Sequence, residues 1–101
     1  MATVKLCKTA DIPDGKMKVF DVKGRQVFVA NCSGKFYCCD NKCTHVGGPL
    51  GEGLLEENVV TCPWHGGQFD IRTGKVLTGP AQKNVKSYKT TIKKDEIYVA
   101  L

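Results

Sequence analysis

Cys43-Thr44-His45 and Cys62-Pro63-Trp64-His65 stand at the two ends of residues 43–65, with sixteen residues between His45 and Cys62. Each end offers one thiol and one imidazole at short spacing. Gly47, Gly48 and Pro49 follow the first pair, and Gly66 and Gly67 follow the second. Two short ligand-bearing loops that converge on one object explain this better than packing does. A metal centre that takes two soft sulfur ligands and two nitrogen ligands is such an object.

Outward from these loops the chain reads as short strands broken by turn residues. Met17 to Val22 and Gln26 to Ala30 flank Lys23-Gly24 and read as a hairpin with a two-residue loop. Asn31-Cys32-Ser33-Gly34 is the next turn, and Lys35 to Asp40 the strand that enters the first loop. Leu50 to Glu57, with two glycines and three glutamates, reads as loop. Asn58 to Thr61 is a short strand that delivers Cys62. Gln68 to Ile71 and Lys75 to Leu77 flank the turn Arg72-Thr73-Gly74, and Gly79-Pro80-Ala81 begins an irregular stretch. Val85 to Lys93 alternates along its whole length, and Ile97 to Leu101 is the last strand. No 3.6-residue period is sustained, although residues 8–13 suit one helical turn. About ten strands with frequent turns predict an all-β, antiparallel sandwich or barrel.

The chain has 101 residues, which predicts a single domain spanning 1–101. A net charge of +5 is mild, and the fifteen basic residues are spread rather than clustered. They read as a solvated surface, not a nucleic-acid patch. No stretch approaches the about 18 apolar residues of a membrane span. Met1 to Ala10 carries Lys5 and Lys8 and lacks the apolar region of a secretory signal, so a cytoplasmic address and no membrane association are expected. In that compartment six cysteines argue for metal binding more than for disulfides. Cys7, Cys32, Cys38 and Cys39 stand outside the paired motif and read as small buried hydrophobes. Cys38 and Cys39, being adjacent in a strand, point to opposite faces, so at most one is expected to face the core.

Two metal readings compete for Cys43, His45, Cys62 and His65. Zinc accepts two Cys and two His in a tetrahedron, and a zinc-stabilised interaction module follows from that. Its usual spacing, however, pairs Cys with Cys and His with His. A two-iron, two-sulfide cluster with thiolates on one iron and imidazoles on the other takes one ligand for each iron from each loop. That is the interleaving seen here.

The chain resembles the Rieske-type ferredoxins over nearly its whole length. The resemblance rests on Cys43-Thr44-His45-Val46-Gly47-Gly48-Pro49-Leu50, on Cys62-Pro63-Trp64-His65-Gly66-Gly67-Gln68-Phe69-Asp70, on Thr73-Gly74-Lys75 and on Gly79-Pro80-Ala81. It implies one [2Fe-2S] cluster held by Cys43, His45, Cys62 and His65. It also implies a small Rieske sandwich with a cluster-binding subdomain of loops and short strands at about 42–80. In that setting Trp64 and Phe69 cover the cluster, while Pro49, Pro63 and Pro80 stiffen the loops and the segment beneath them. High-potential relatives carry an inter-loop disulfide at the positions of Gly48 and Trp64. They carry a Ser and a Tyr, hydrogen-bonded to the cluster sulfurs, at those of Gly67 and Phe69. Fewer such bonds stabilise the reduced state less, so the low-potential class is expected.

Absences narrow the function. Both histidines are used by the cluster, so the mononuclear iron of a Rieske oxygenase cannot also be built. No nicotinamide or flavin fingerprint is present. The expectation is an electron carrier rather than an enzyme: a monomer passing single electrons from a flavin or ferredoxin reductase to a terminal acceptor such as an oxygenase. A small Rieske subunit of an assimilatory nitrite reductase is the nearer alternative. Lys42, Arg72 and Lys75 are expected near the cluster loops, together with Asp40 and Glu52.

Overall fold

The structure, a computed structural model, describes residues 3–41, 49–64, 66–78 and 83–100. Eleven strands run through these residues: β1 (Thr3–Lys8), β2 (Met17–Val22), β3 (Arg25–Cys32), β4 (Lys35–Asp40), β5 (Leu54–Glu56), β6 (Val59–Thr61), β7 (Gln68–Asp70), β8 (Lys75–Thr78), β9 (Ser87–Tyr88), β10 (Thr90–Lys93) and β11 (Glu96–Ala100). They form three sheets, ordered β1-β11-β10, β2-β3-β4-β9 and β5-β6-β7-β8, and every pairing is antiparallel. The expected all-β antiparallel architecture is therefore what forms. The helical turn expected within residues 8–13 is a 3-10 turn at Thr9–Asp11, and a second lies at Leu50–Glu52. Among the described residues, no helix is long and apolar enough to cross a membrane.

Turn chemistry sets the register. Val22 pairs with Arg25 across Lys23-Gly24, whose φ values of 53° and 80° are both left-handed. This backbone matches the right-handed twist of the strands it joins. Ser33-Gly34 repeats it between Cys32 and Lys35, with φ values of 55° and 89°. Cys32 accordingly ends a strand, not a turn.

The sheet β2-β3-β4-β9 is the middle layer, and this explains the run Val27-Phe28-Val29-Ala30, all wholly buried. Phe28 and Ala30 pack with Leu50, Val60, Phe69 and Ile71, which come from the small sheet and its approach. Val27 and Val29 pack with Ile12, Ile97 and Val99 on the other side. A strand covered on both faces carries no polar alternation. Cys38 and Cys39 obey the same rule. They face opposite ways, as expected, but both are buried, at 1% and 0% exposure, because there is a core on each side.

Two further expectations change. Val85 to Lys93 is not one strand. Tyr88 in β9 pairs with Cys38 in β4, whereas Thr90 in β10 pairs with Val99 in β11. The segment crosses between sheets at Lys89, and side-chain alternation does not register a change of partner. Leu50 to Glu57 is not all loop, because it holds a 3-10 turn and β5. β5 pairs on one side only, and an edge strand tolerates the glutamates that disguise it. The stretch Gly79-Pro80-Ala81 and Leu101 lie outside the described residues.

Candidate metal centre

The second loop is the turn between β6 and β7. Thr61 pairs with Gln68, and beyond them the Cys62 N–H donates to the Gly67 carbonyl at 2.7 Å. Gly66 takes a left-handed φ of 73°, a conformation that glycine adopts without strain. The turn is tied from below by Gln68. Its amide nitrogen donates to Thr61 Oγ1 at 3.2 Å, and its carbonyl oxygen accepts from Thr78 Oγ1 at 3.1 Å. Cys62 is buried at the root of this turn, while Trp64 at its tip is 50% exposed. His65 lies outside the described residues.

Cys43 and His45 also lie outside the described residues, with Gly47 and Gly48, but both flanks of their loop are defined. On the entry side the Asp40 N–H donates to the Lys86 carbonyl and the Asn41 N–H to the Gln26 carbonyl. The Tyr88 hydroxyl donates to Asp40 Oδ1 at 2.6 Å, and Arg25 Nη1 donates to that same hydroxyl at 3.3 Å. Burial, and then the hydrogen bond to Asp40, pushes the Tyr88 hydroxyl up to about 12. On the exit side Leu50 is buried within the 3-10 turn, which is closed by the Glu52 N–H donating to the Pro49 carbonyl. Asn41, 5% exposed, joins the two flanks: its Oδ1 accepts the Gly51 N–H at 2.6 Å.

Leu50 and Cys62 belong to one buried cluster, so the roots of the two loops share a core. The first root sits on the middle sheet and the second on the small sheet. A thiol buried at the root of a turn with an exposed tip suits a metal centre that is shielded below and reachable above. The donor set of two thiols and two imidazoles suits iron bound to sulfide. Among the described residues no three of His, Cys, Asp and Glu gather, since three of the four expected ligands lie outside them.

The other cysteines are different. Burial pushes the Cys38 and Cys39 thiols up to about 12, so both stay protonated over the ordinary pH range. The Cys39 thiol donates to the Ile71 carbonyl at 3.4 Å. Cys7 and Cys32 are half-buried instead of buried, and the Cys32 thiol donates to the Glu57 carbonyl at 3.0 Å. Lys42 lies outside the described residues, and the other two basic residues expected near the loops move. β7 leads away from the Cys62 turn, so Arg72 is carried to the far end, where it lines a cleft with Cys32, Ser33 and Lys35. Lys75 pairs with Asp70 at the same far end. Phe69 is a core residue packed between the middle and small sheets.

The sequence pattern of the Rieske [2Fe-2S] domain matches residues 2–89. The chain belongs to the Rieske [2Fe-2S] domain family. This Rieske chain is 38% identical over 82 residues to the ferredoxin component of the naphthalene 1,2-dioxygenase/salicylate 5-hydroxylase systems of a Ralstonia species, covering 81% of this chain and 79% of that protein. Its fold matches the ferredoxin of carbazole 1,9a-dioxygenase from Nocardioides aromaticivorans IC177 with a TM-score of 0.95, at 29% identity and covering 99% and 98% of the two chains. A chain in the complex of reduced oxygenase and oxidized ferredoxin in carbazole 1,9a-dioxygenase matches with a TM-score of 0.93, at 30% identity over 97% of this chain and 92% of that one. The Rieske chain is an electron-transfer component rather than a catalyst.

Sequence reasoning named four expected ligand positions but not the residues that support their loops. Asn41, Gly51 and Gln68 carry no ligand chemistry. The available signal was position: an amide side chain one residue past a strand end and two before a ligand.

Proposed function

We propose that this Rieske chain is a cytoplasmic, monomeric carrier of single electrons from a flavin or ferredoxin reductase to a terminal oxygenase. Cys43 and Cys62 would hold one iron of a single [2Fe-2S] cluster, and His45 and His65 the other. The observation that carries this reading is the Cys62 turn, buried at its thiol and exposed at its Trp64 tip. When bound, the cluster supplies one reversible electron site with a potential above that of all-thiolate clusters.

The chain's own residues do the rest. The hairpin bond from Cys62 to Gly67 and the Gln68 ties fix one loop before anything binds. The bonds at Asp40, Asn41 and Gly51 fix the roots of the other. The apolar core beneath, including Leu50, Val60 and Phe69, excludes water from the lower side. Residues 1–101 form one domain in this reading, with the cluster-binding part at about 42–80. Oxygenase and reductase enter as partners because ferredoxin components of dioxygenase systems are the relatives at hand.

Colour and electron paramagnetic resonance test the proposal. The purified protein should be red-brown, bleach with dithionite and give a rhombic signal when reduced. A colourless protein containing zinc would establish the interaction-module reading instead.

A further inference from the structure

Asn41 and Asn31 are the buried polar side chains of the described core, and each closes a turn. Asn31 does so conventionally, accepting the Gly34 N–H three residues on at 2.8 Å. Asn41 reaches ten residues, to Gly51 at 2.6 Å, and the ring it closes contains Cys43 and His45. Gly51 fits only as glycine. A Cβ there would stand 2.5 Å from Val19 Cγ2, 2.8 Å from Asn41 Oδ1 and 2.9 Å from Phe28 Cβ. The bond thus lies against the middle sheet with no room for adjustment.

We propose that Asn41 is a positioning residue for the electron-transfer centre, its side-chain bond to Gly51 setting the span of the loop that presents Cys43 and His45. This rests on the cluster assignment above. Both flanks, Asn41 and Gly51, are held against β2 and β3, which fixes the distance between them. The bond is part-buried, and losing it leaves the Gly51 N–H without this partner against the edge of the core. Ligand orientation, set in this way from outside the ligand set, governs metal affinity and electronic structure.

The test uses Asn41→Leu, which keeps the bulk and removes the acceptor, and Gly51→Ala, which wedges the bond from the other side. Val99→Ala, in the core on the far side of the middle sheet, controls for general destabilisation. The readouts are the g-values of the reduced protein, the rate of iron release to a chelator, and amide exchange across residues 49–53 in metal-free protein. Asn41→Leu should shift the g-values, release iron at least tenfold faster and lose protection at Gly51. Gly51→Ala should follow it, and Val99→Ala should leave the g-values at wild type. Should Asn41→Leu fail to fold, Gly51→Ala reads the same bond. Wild-type g-values and release rate in either loop variant, or an equal g-shift in Val99→Ala, overturn the proposal. Wild-type protein that binds no iron and sulfide overturns the cluster assignment instead.

Discussion

Cys38 and Cys39 are consecutive in β4 and lie in different hydrophobic cores, one on each side of the middle sheet. Neither is near water, and burial holds both thiols protonated up to about 12. Their burial makes them markers of the fold's integrity.

The sign of their effect on stability follows. An unfolded thiol ionises near 9.0, whereas these ionise near 12 when folded. The unfolded state therefore releases its protons first as pH rises. Their contribution is complete below pH 9 and is lost between 9 and about 12, and Tyr88, raised from 10.0 to about 12, adds the same trend. The urea midpoint should fall steadily above pH 9. Iodoacetamide at pH 8.5 should leave Cys38 and Cys39 unlabelled until denaturant is added, as read by peptide mass spectrometry.

Gly74 combines a left-handed φ of 82° with a backbone carbonyl where its Cβ would stand, that of Val85. Its own carbonyl accepts the Val85 N–H at 2.8 Å, anchoring the chain as it leaves the small sheet. Gly74→Ala should cost about 2–4 kcal/mol through strain and displacement. Chemical denaturation measures it.

Leu50 is fully buried between the middle sheet and the Cys62 root. Leu50→Ala should cost about 2–5 kcal/mol by leaving a cavity there. Because that cavity lies where the two loop roots meet, iron should also leave faster, whereas a similar truncation at Ile97 in the opposite core should cost stability and spare the metal.

Phe69 has no hydroxyl to offer a sulfide, and Gly67 has no side chain. The midpoint potential is expected near the lower end of the about −150 to +300 mV Rieske range. Voltammetry gives the value directly, and a potential well above zero would refute the assignment to the low-potential class.

The sequence carried the ligand motif and most strands because both are local. Lys23-Gly24 announces its hairpin by residue type, and the spacing of Cys43, His45, Cys62 and His65 needs no fold to be noticed. The layers were not legible. Val27 to Ala30 is apolar without alternation, which marks a strand covered twice only once the second cover is seen. The crossing at Lys89 left no mark on the alternation, and Asn41 reads as a turn residue until Gly51 is found ten positions away. Arg72 was misplaced because closeness in sequence to Cys62 is not closeness in space when a strand runs between.

The central claim is that Cys62 and its three companions hold a pair of irons bridged by sulfide. Iron and acid-labile sulfide should be measured in the purified protein and in Cys62→Ser. The wild type should hold the two in equal amounts, a pair of each per chain, and Cys62→Ser should hold neither in stoichiometric amount while keeping its β-sheet spectrum. A wild-type chain that takes up neither after anaerobic reconstitution, or a Cys62→Ser chain that retains both, would contradict it.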